Sequence, residues 1–439
     1  MQNLRINEQR LWEALMTMGE IGATAKGGCN RLAASDLDKQ ARDLFVAWCK
    51  ACDCTVEIDK IGNIFARRAG QNNHLPAVGT GSHLDTQPTG GKFDGVFGVL
   101  AGVEVLRTLH ENQIQTPTAM EFSVWTNEEG SRFQPAMQGS GTYVGRFDLA
   151  TELNKTDTNG IRLGDELKRI GYLGDMELGS RHMGAFFEAH IEQGPILEDE
   201  QKAIGIVRLG QGIRWYNIEV IGRPSHSGTT PMHLRQDAML AAASIVKEIN
   251  NLTQDYENAL GTVGYMDVWP NSRNTIPGKV SFSADLRNPD AKVLETMHQA
   301  LEAICHKVAK EQDVQVICDH IWYFEPVEFN ASDDVKAATE QLGYSHMDIY
   351  AGAGHDACYM ADLVPTGMIF TPCLNGISHN EAEYSSPQEC AAGANVLLHT
   401  MLAASERIAQ QHGTEHLSAT TEKTKADQVS AGTLNEALN

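Results

Sequence analysis

The chain has 439 residues, enough for two or three domains that each bury a core of their own. With 42% hydrophobic and 21% charged residues it has the make-up of a soluble globular protein, and a formal net charge of -22 argues against nucleic acid or an anionic membrane surface as partner. Nine cysteines in so long a chain do not form a disulfide framework, and no apolar run reaches membrane-spanning length. The first ten residues lack an apolar signal core, so a cytoplasmic location is the expectation.

In chain order, residues 8–22 and 36–52 have the apolar spacing of helices, the second opened by Ser35 or Asp36 as a cap. Cys49, Cys52 and Cys54 stand close enough for a soft-metal site, but Leu44, Phe45, Trp48 and Cys52 share helical spacing, which favours a core helix. Short strands are expected at 55–58 and 63–67. A third runs into Gly81, a helix follows Asp94, and another strand covers 120–126. Residues 150–180 are polar and Gly-punctuated, consistent with short helices.

The pattern changes near Gly210. A strand at 214–221, a helix at 233–250, strands at 262–269 and 280–286, a helix at 291–310 and a strand at 314–318 give the β-α-β-β-α-β order of a ferredoxin-like unit. Before and after it, strands and helices alternate as in an α/β sheet covered on both faces. The expected organisation is an α/β domain in two pieces, 1–212 and 326–411, interrupted by an α+β insertion at 213–325. The insertion's sheet edges could pair with a second copy. A mobile tail is expected over 412–439, which holds no aromatic residue.

The stretch Gly81-Ser-His-Leu-Asp-Thr-Gln-Pro-Thr-Gly-Gly-Lys-Phe-Asp-Gly95 puts His83, Asp85 and Asp94 in a Gly-broken loop between a strand and a helix, where open α/β sheets gather ligands. Asp94 read alone could equally be a helix cap. The adjacent carboxylates Glu128 and Glu129 end a strand. They read either as a solvated acidic turn or as a metal ligand beside a base. His190 ends the apolar segment before Glu192-Gln193-Gly194-Pro195, and His379 lies in a loop after the strand 367–371. His83, Asp94, Glu129, His190 and His379 together supply ligands for two divalent ions if Asp94 bridges, and imidazole with carboxylate suits Zn, Mn, Co or Ni. Asp85 could then orient His83 through its other ring nitrogen.

The segments GSHLDTQPTGGKFDG, WTNEEGSRF, AHIEQGP, GRPSHSGTTPM, SRNTIPG, GAGHDA and GISHNE, in this order, resemble the M20 family of metallopeptidase-like amidohydrolases over roughly residues 5–410. The resemblance is to its carbamoylase branch of N-carbamoyl-L-amino acid hydrolases, β-ureidopropionases and allantoate amidohydrolases. It implies a catalytic α/β domain with two divalent metal ions per subunit, Zn or Mn with Co or Ni as alternatives. It also implies that the inserted ferredoxin-like domain makes a homodimer. His83, Asp94 and His190 would hold one ion, and Asp94, Glu129 and His379 the other. Glu128 would be the general base, and His226 would reach the partner's site to stabilise the oxyanion. Asn274 and Arg287 would bind a substrate carboxylate, helped by Arg214, with Gln193 and the Gly352-Ala353-Gly354 turn as further contacts. His355-Asp356 reads as packing near the site.

The implied reaction is hydrolysis of a small N-carbamoyl amino acid to the amino acid, carbon dioxide and ammonia. The Thr86-Gln87-Pro88 context inclines the reading towards β-ureidopropionases. Allantoate amidohydrolase is the alternative, with an aminoacylase, a dipeptidase or an inactive binding relative further off.

Overall fold

The computed structural model describes residues 3–435, with side chains as far as residue 412, so the tail expected from 412 lies outside the residues whose side chains are described. The chain divides into two compact units. The first is 1–208, 329–349 and 354–439; the second is 209–328 with 350–353. The expected insertion at 213–325 falls inside the second.

Strands β1 (Thr55–Ile58), β2 (Ile64–Arg68), β3 (Ala77–His83), β4 (Met120–Trp125), β5 (Met183–Ile191) and β6 (Ile204–Gly210) come first. Next are β7 (Gly212–Ile221), β8 (Ser225–His226), β9 (Leu260–Thr262), β10 (Met266–Trp269), β11 (Thr275–Ile276), β12 (Lys279–Asn288), β13 (Gln315–Phe324) and β14 (Val327–Glu328). Finally come β15 (His346–Ala351) and β16 (Thr366–Thr371).

The main sheet of the first unit runs β1-β2-β4-β3-β5-β16-β6. Its centre is parallel: β3 pairs with β4 and β5, and β5 with β16. The flanking pairs β1–β2, β2–β4 and β16–β6 are antiparallel. Strands β3, β4 and β16 are buried at every position, as expected of parallel strands covered on both faces. The helix Asp36–Lys50 is capped by the Ser35 side chain on the Asp38 N–H, one of the two caps expected. Cys49 lies in the hydrophobic core, and the soft-metal reading of the three nearby thiols finds no cluster among the described residues. The helix Val96–Glu111 begins at Gly95 (φ 67), where a side chain would run into the His83 ring. Asp94 therefore does not cap this helix.

In the second unit β10-β12-β7-β13 form an antiparallel sheet, and the helices Ala238–Gln254 and Ala291–Gln312 build a core with Tyr216, Ile218, Val220, Phe282 and Leu286. In chain order this is β-α-β-β-α-β with the fourth strand beside the first, the ferredoxin-like arrangement. Two details differ from the expectation. The strand over 262–269 is divided, β9 and β10 pairing with separate parts of β12. The helix expected from residue 233 starts at Ala238, because the Asp237 side chain takes the Met239 and Leu240 N–H groups as its cap.

Candidate active site

Four neighbouring strands, β4, β3, β5 and β16, deliver the candidate residues at their carboxyl ends: Glu128 and Glu129 follow β4, His83 ends β3, His190 lies near the end of β5, and His379 is in the loop after β16. This is where an open parallel sheet gathers ligands. Asp94 comes from the loop between β3 and its helix and stands at the centre.

The two carboxylate oxygens of Asp94 serve different neighbours. Oδ1 lies 3.2 Å from His190 Nε2 and 3.7 Å from His83 Nε2, whereas Oδ2 lies 3.3 Å from His379 Nε2. His379 Nε2 is also 3.4 Å from Glu129 Oε2. His83, Asp94 and His190 thus form one compact group of donor atoms, and Asp94, Glu129 and His379 a second. Glu128 Oε2 lies 3.5 Å from His83 Nε2 and belongs to neither triad.

Each buried imidazole is aimed by its other nitrogen. His83 Nδ1 meets the Asp85 carbonyl at 2.9 Å and His190 Nδ1 the Ile191 carbonyl at 2.9 Å, so both present Nε2 to the site. The expected role of the Asp85 side chain is corrected here. Its carboxylate stands 3.9 Å from His83 Nδ1 and instead accepts the Glu128 and Glu129 N–H groups, both at 3.2 Å. Asp85 thus aims His83 with its backbone and holds the two-glutamate turn with its side chain. Asn127 (φ 54) makes that turn possible, and its amide donates to the Phe133 carbonyl at 2.7 Å.

The electrostatics call for cations. Burial pushes Glu128 well above the ordinary carboxylate range, with Asp356, Glu129 and Asp94 adding to it. Burial, then Asp94, pushes Glu129 up to about 7. The hydrogen bond to Asp94 raises His379 to about 9. Burial opposes the charged forms of Asp94, His83 and His190, but it is outweighed: the three histidines hold Asp94 well below the usual range, Glu128 and then Asp94 raise His83, and Asp94 raises His190. Two Nε2-presenting imidazoles, an exposed third and a carboxylate with one oxygen per triad fit two divalent ions of the Zn or Mn kind.

Sequence reasoning missed several supporting residues. The buried Glu383 accepts the Phe93 and Asp94 N–H groups at 2.9 and 3.0 Å through Oε1, and Ser378 Oγ at 2.8 Å through Oε2. Its position four residues after His379 was the available signal. Gln87 donates to Glu129 from its backbone at 3.0 Å and from its side chain at 2.7 Å. Gln193, expected at the substrate, donates to Asp94 Oδ2 at 2.9 Å and so braces a candidate ligand. Glu188 accepts from Ser82 Oγ at 2.7 Å and the Ala357 N–H at 2.8 Å. His355 packs edge-on to His190 at 4.5 Å, and burial holds it well below its ordinary range.

The remaining expected residues belong to the second unit. His226 Nδ1 accepts the Gly228 and Thr229 N–H groups at 3.0 and 3.2 Å, which puts the ring proton on Nε2. The Asn274 carbonyl accepts the Ser227 N–H at 3.1 Å, and Thr275 pairs with His226, so His226 and Asn274 share one small ribbon. Arg214 does not join Arg287, contrary to expectation. Leu286 stands opposite Arg214 and Arg287 opposite Ile213, so the two guanidinium groups leave opposite faces of the sheet. Arg214 is engaged on the helix side, by Glu295 and over the Tyr323 ring at 4.3 Å. The Gly352–Gly354 turn is divided between the units, Gly352 accepting from Arg287 Nη1 at 2.7 Å and Gly354 lying against Met137.

Residues 79–403 match the model of peptidase family M20/M25/M40. The chain belongs to this family. An N-carbamoyl-L-amino-acid amidohydrolase of Rhizobium meliloti is 46% identical over 410 residues, 93% of this chain and 99% of the relative. An allantoate amidohydrolase of Bacillus subtilis is 32% identical over 387 residues, 87% of this chain and 93% of the relative. Among solved structures, a hydantoinase/carbamoylase family amidase from Burkholderia multivorans is 50% identical with a TM-score of 0.88, covering 92% of this chain and 98% of that one. Within the family the chain falls in the carbamoylase branch and is an amidohydrolase acting on C–N amide bonds. Among the described residues no helix is long and apolar enough to cross a membrane.

Proposed function

We propose that this chain hydrolyses N-carbamoyl-L-α-amino acids to the amino acid, carbon dioxide and ammonia, as a homodimer with two divalent metal ions in each subunit. The observation that carries the reading is the division of Asp94, one oxygen towards His83 and His190 and the other towards His379, which is what two adjacent cations require. Ions held by His83, Asp94, Glu129, His190 and His379 would supply Lewis acidity for a poorly electrophilic urea-like carbonyl and would lower the pKa of water towards neutrality.

The protein's own groups do the rest. Glu128, free of both triads, takes a proton from the attacking water and passes it to the departing nitrogen. The carbamate left behind falls apart to carbon dioxide and ammonia. Burial of Glu128 gives it the affinity for a proton that this shuttle needs. His226 offers its Nε2–H to the developing oxyanion. Arg287 receives the substrate carboxylate as a planar fork, for which Arg suits better than Lys.

Strand geometry supports a site completed by a second copy. Asn274 sits with His226 beyond one end of β12, and Arg287 sits at the other. Ten residues of strand at roughly 3.3 Å each span on the order of 30 Å. A small ureido acid cannot touch Arg287 and Asn274 of the same copy, so His226 and Asn274 act in the partner's site.

The test is ammonia release by metal-stripped protein reloaded with Mn or Zn, on N-carbamoyl-L-methionine, N-carbamoyl-β-alanine and allantoate. Turnover of the first above the others, lost with chelator, is expected. Preference for either of the others moves the protein to the neighbouring activity, and no turnover with metal bound refutes the proposal.

A further inference from the structure

The geometry points to Asp285 as a positioning residue that fixes the guanidinium of Arg287 for a substrate carboxylate. The inference rests on the reading of Arg287 as the carboxylate contact and deepens it. Asp285 and Arg287 are two apart on β12, so the strand's alternation puts both on one face while Leu286 between them is anchored in the core.

Asp285 grips Arg287 side-on. Arg287 Nε lies 3.0 Å from Oδ1 and 3.2 Å from Oδ2, and Nη2 lies 2.8 Å from Oδ2. The aspartate is itself held, since Trp215 on β7, directly opposite it, donates from its indole nitrogen to Oδ2 at 3.0 Å. The Gly352 carbonyl takes one N–H of Nη1. Of the five N–H groups of the guanidinium, these contacts use one on each nitrogen. One N–H on Nη1 and one on Nη2 are left over for a carboxylate. Asp285 and the Gly352 carbonyl together hold the Arg287 guanidinium through all three of its nitrogens.

The arrangement has a cost that makes the idea testable by sign. Asp285 is negative, and as a bare charge it repels the anionic substrate that Arg287 attracts. If charge dominates, removing it tightens binding. If orientation dominates, removing it loosens binding, because a mobile Arg side chain must be ordered again at each encounter.

The experiment uses the full-length, metal-loaded protein and the variants Asp285→Asn and Arg287→Ala. Each is assayed on an N-carbamoyl-L-amino acid and on the corresponding N-carbamoyl amino amide, which lacks the carboxylate. Asp285→Asn is expected to raise KM for the acid about 10-fold or more while kcat stays within about 3-fold. KM for the amide should not change, a separation that a general loss of structure would not produce. Added guanidinium should restore part of the activity of Arg287→Ala but not of the double variant. An unchanged or lowered KM for the acid in Asp285→Asn, with Arg287→Ala raising KM for the acid but not for the amide, overturns the positioning role alone. If Arg287→Ala leaves KM for the acid unchanged, or raises KM for acid and amide alike, the carboxylate reading of Arg287 falls and this inference with it.

Discussion

Of two consecutive glutamates, one is bound into a triad and one is not, and that difference assigns their roles. Glu129 faces His379 and receives two donors from Gln87, the setting of a candidate ligand. Glu128 has its nearest ionic neighbour in His83 and keeps its carboxylate at the rim of both triads. Replacing Glu128 by Gln preserves shape and removes the proton acceptor. The variant should bind as much metal as the parent, measured by elemental analysis, while kcat falls roughly 10²- to 10⁴-fold. Near-normal turnover would assign the base elsewhere. At this scale the sequence was highly legible, because His83, Asp94, Glu128, Glu129, His190 and His379 each sit in a short stretch that also contains the turn presenting them. Two errors remained, and both concern which way a side chain faces. The Asp85 carboxylate serves the next loop rather than His83, and Arg214 lies across the sheet from Arg287. Both depend on the register between separate strands, which local spacing does not encode.

Elements are tied to the site by buried charge. In the helix Asp36–Lys50, Asp38 and Arg42 form an almost fully buried pair at 2.8 Å. Arg42 also donates to the Gly62 carbonyl at 2.7 Å and to Thr126 Oγ1 at 3.3 Å, just ahead of the Glu128 turn. Arg42→Ala strands the Asp38 charge and should cost about 3–5 kcal/mol in denaturant unfolding. Arg42→Met with Asp38→Asn should cost much less, because no bare charge remains. A loss below 1 kcal/mol in the single variant would mean the pair contributes little. The elements themselves were read well where periodicity is long, as in the helix Val96–Glu111. They were read poorly where a single cap decides, as at Asp237, since apolar Met232 and Leu234 continue the pattern although both are well exposed.

For the whole molecule, the site makes stability depend on pH and metal together. Glu129 and Glu383 ordinarily titrate at 4.5 and His379 at 6.5, and the fold raises them to about 7, about 7 and about 9. The metal-free fold therefore binds more protons than the unfolded chain between roughly pH 4.5 and 9. The stability these groups give is complete at the acid end and is lost as pH rises through that window. Metal ions bound at the proposed ligands would displace those protons and stabilise the fold by mass action. The gap in Tm between metal-loaded and metal-free protein should widen from pH 5 to pH 9, and a gap that narrows would contradict the assigned ligands.

The order of the strands also sets a timetable. His83, Asp94 and His190 have all been synthesised by the time residue 190 is added, yet the strand that lies between β5 and β6 is β16, encoded after the whole 209–328 unit. On the ribosome β5 and β6 wait for a neighbour that does not yet exist, while the intervening ferredoxin-like sheet, whose strands pair among themselves, already has all of its strands. The inserted sheet can form first, and the sheet that carries the candidate site closes only when its last strand arrives, eight residues ahead of His379.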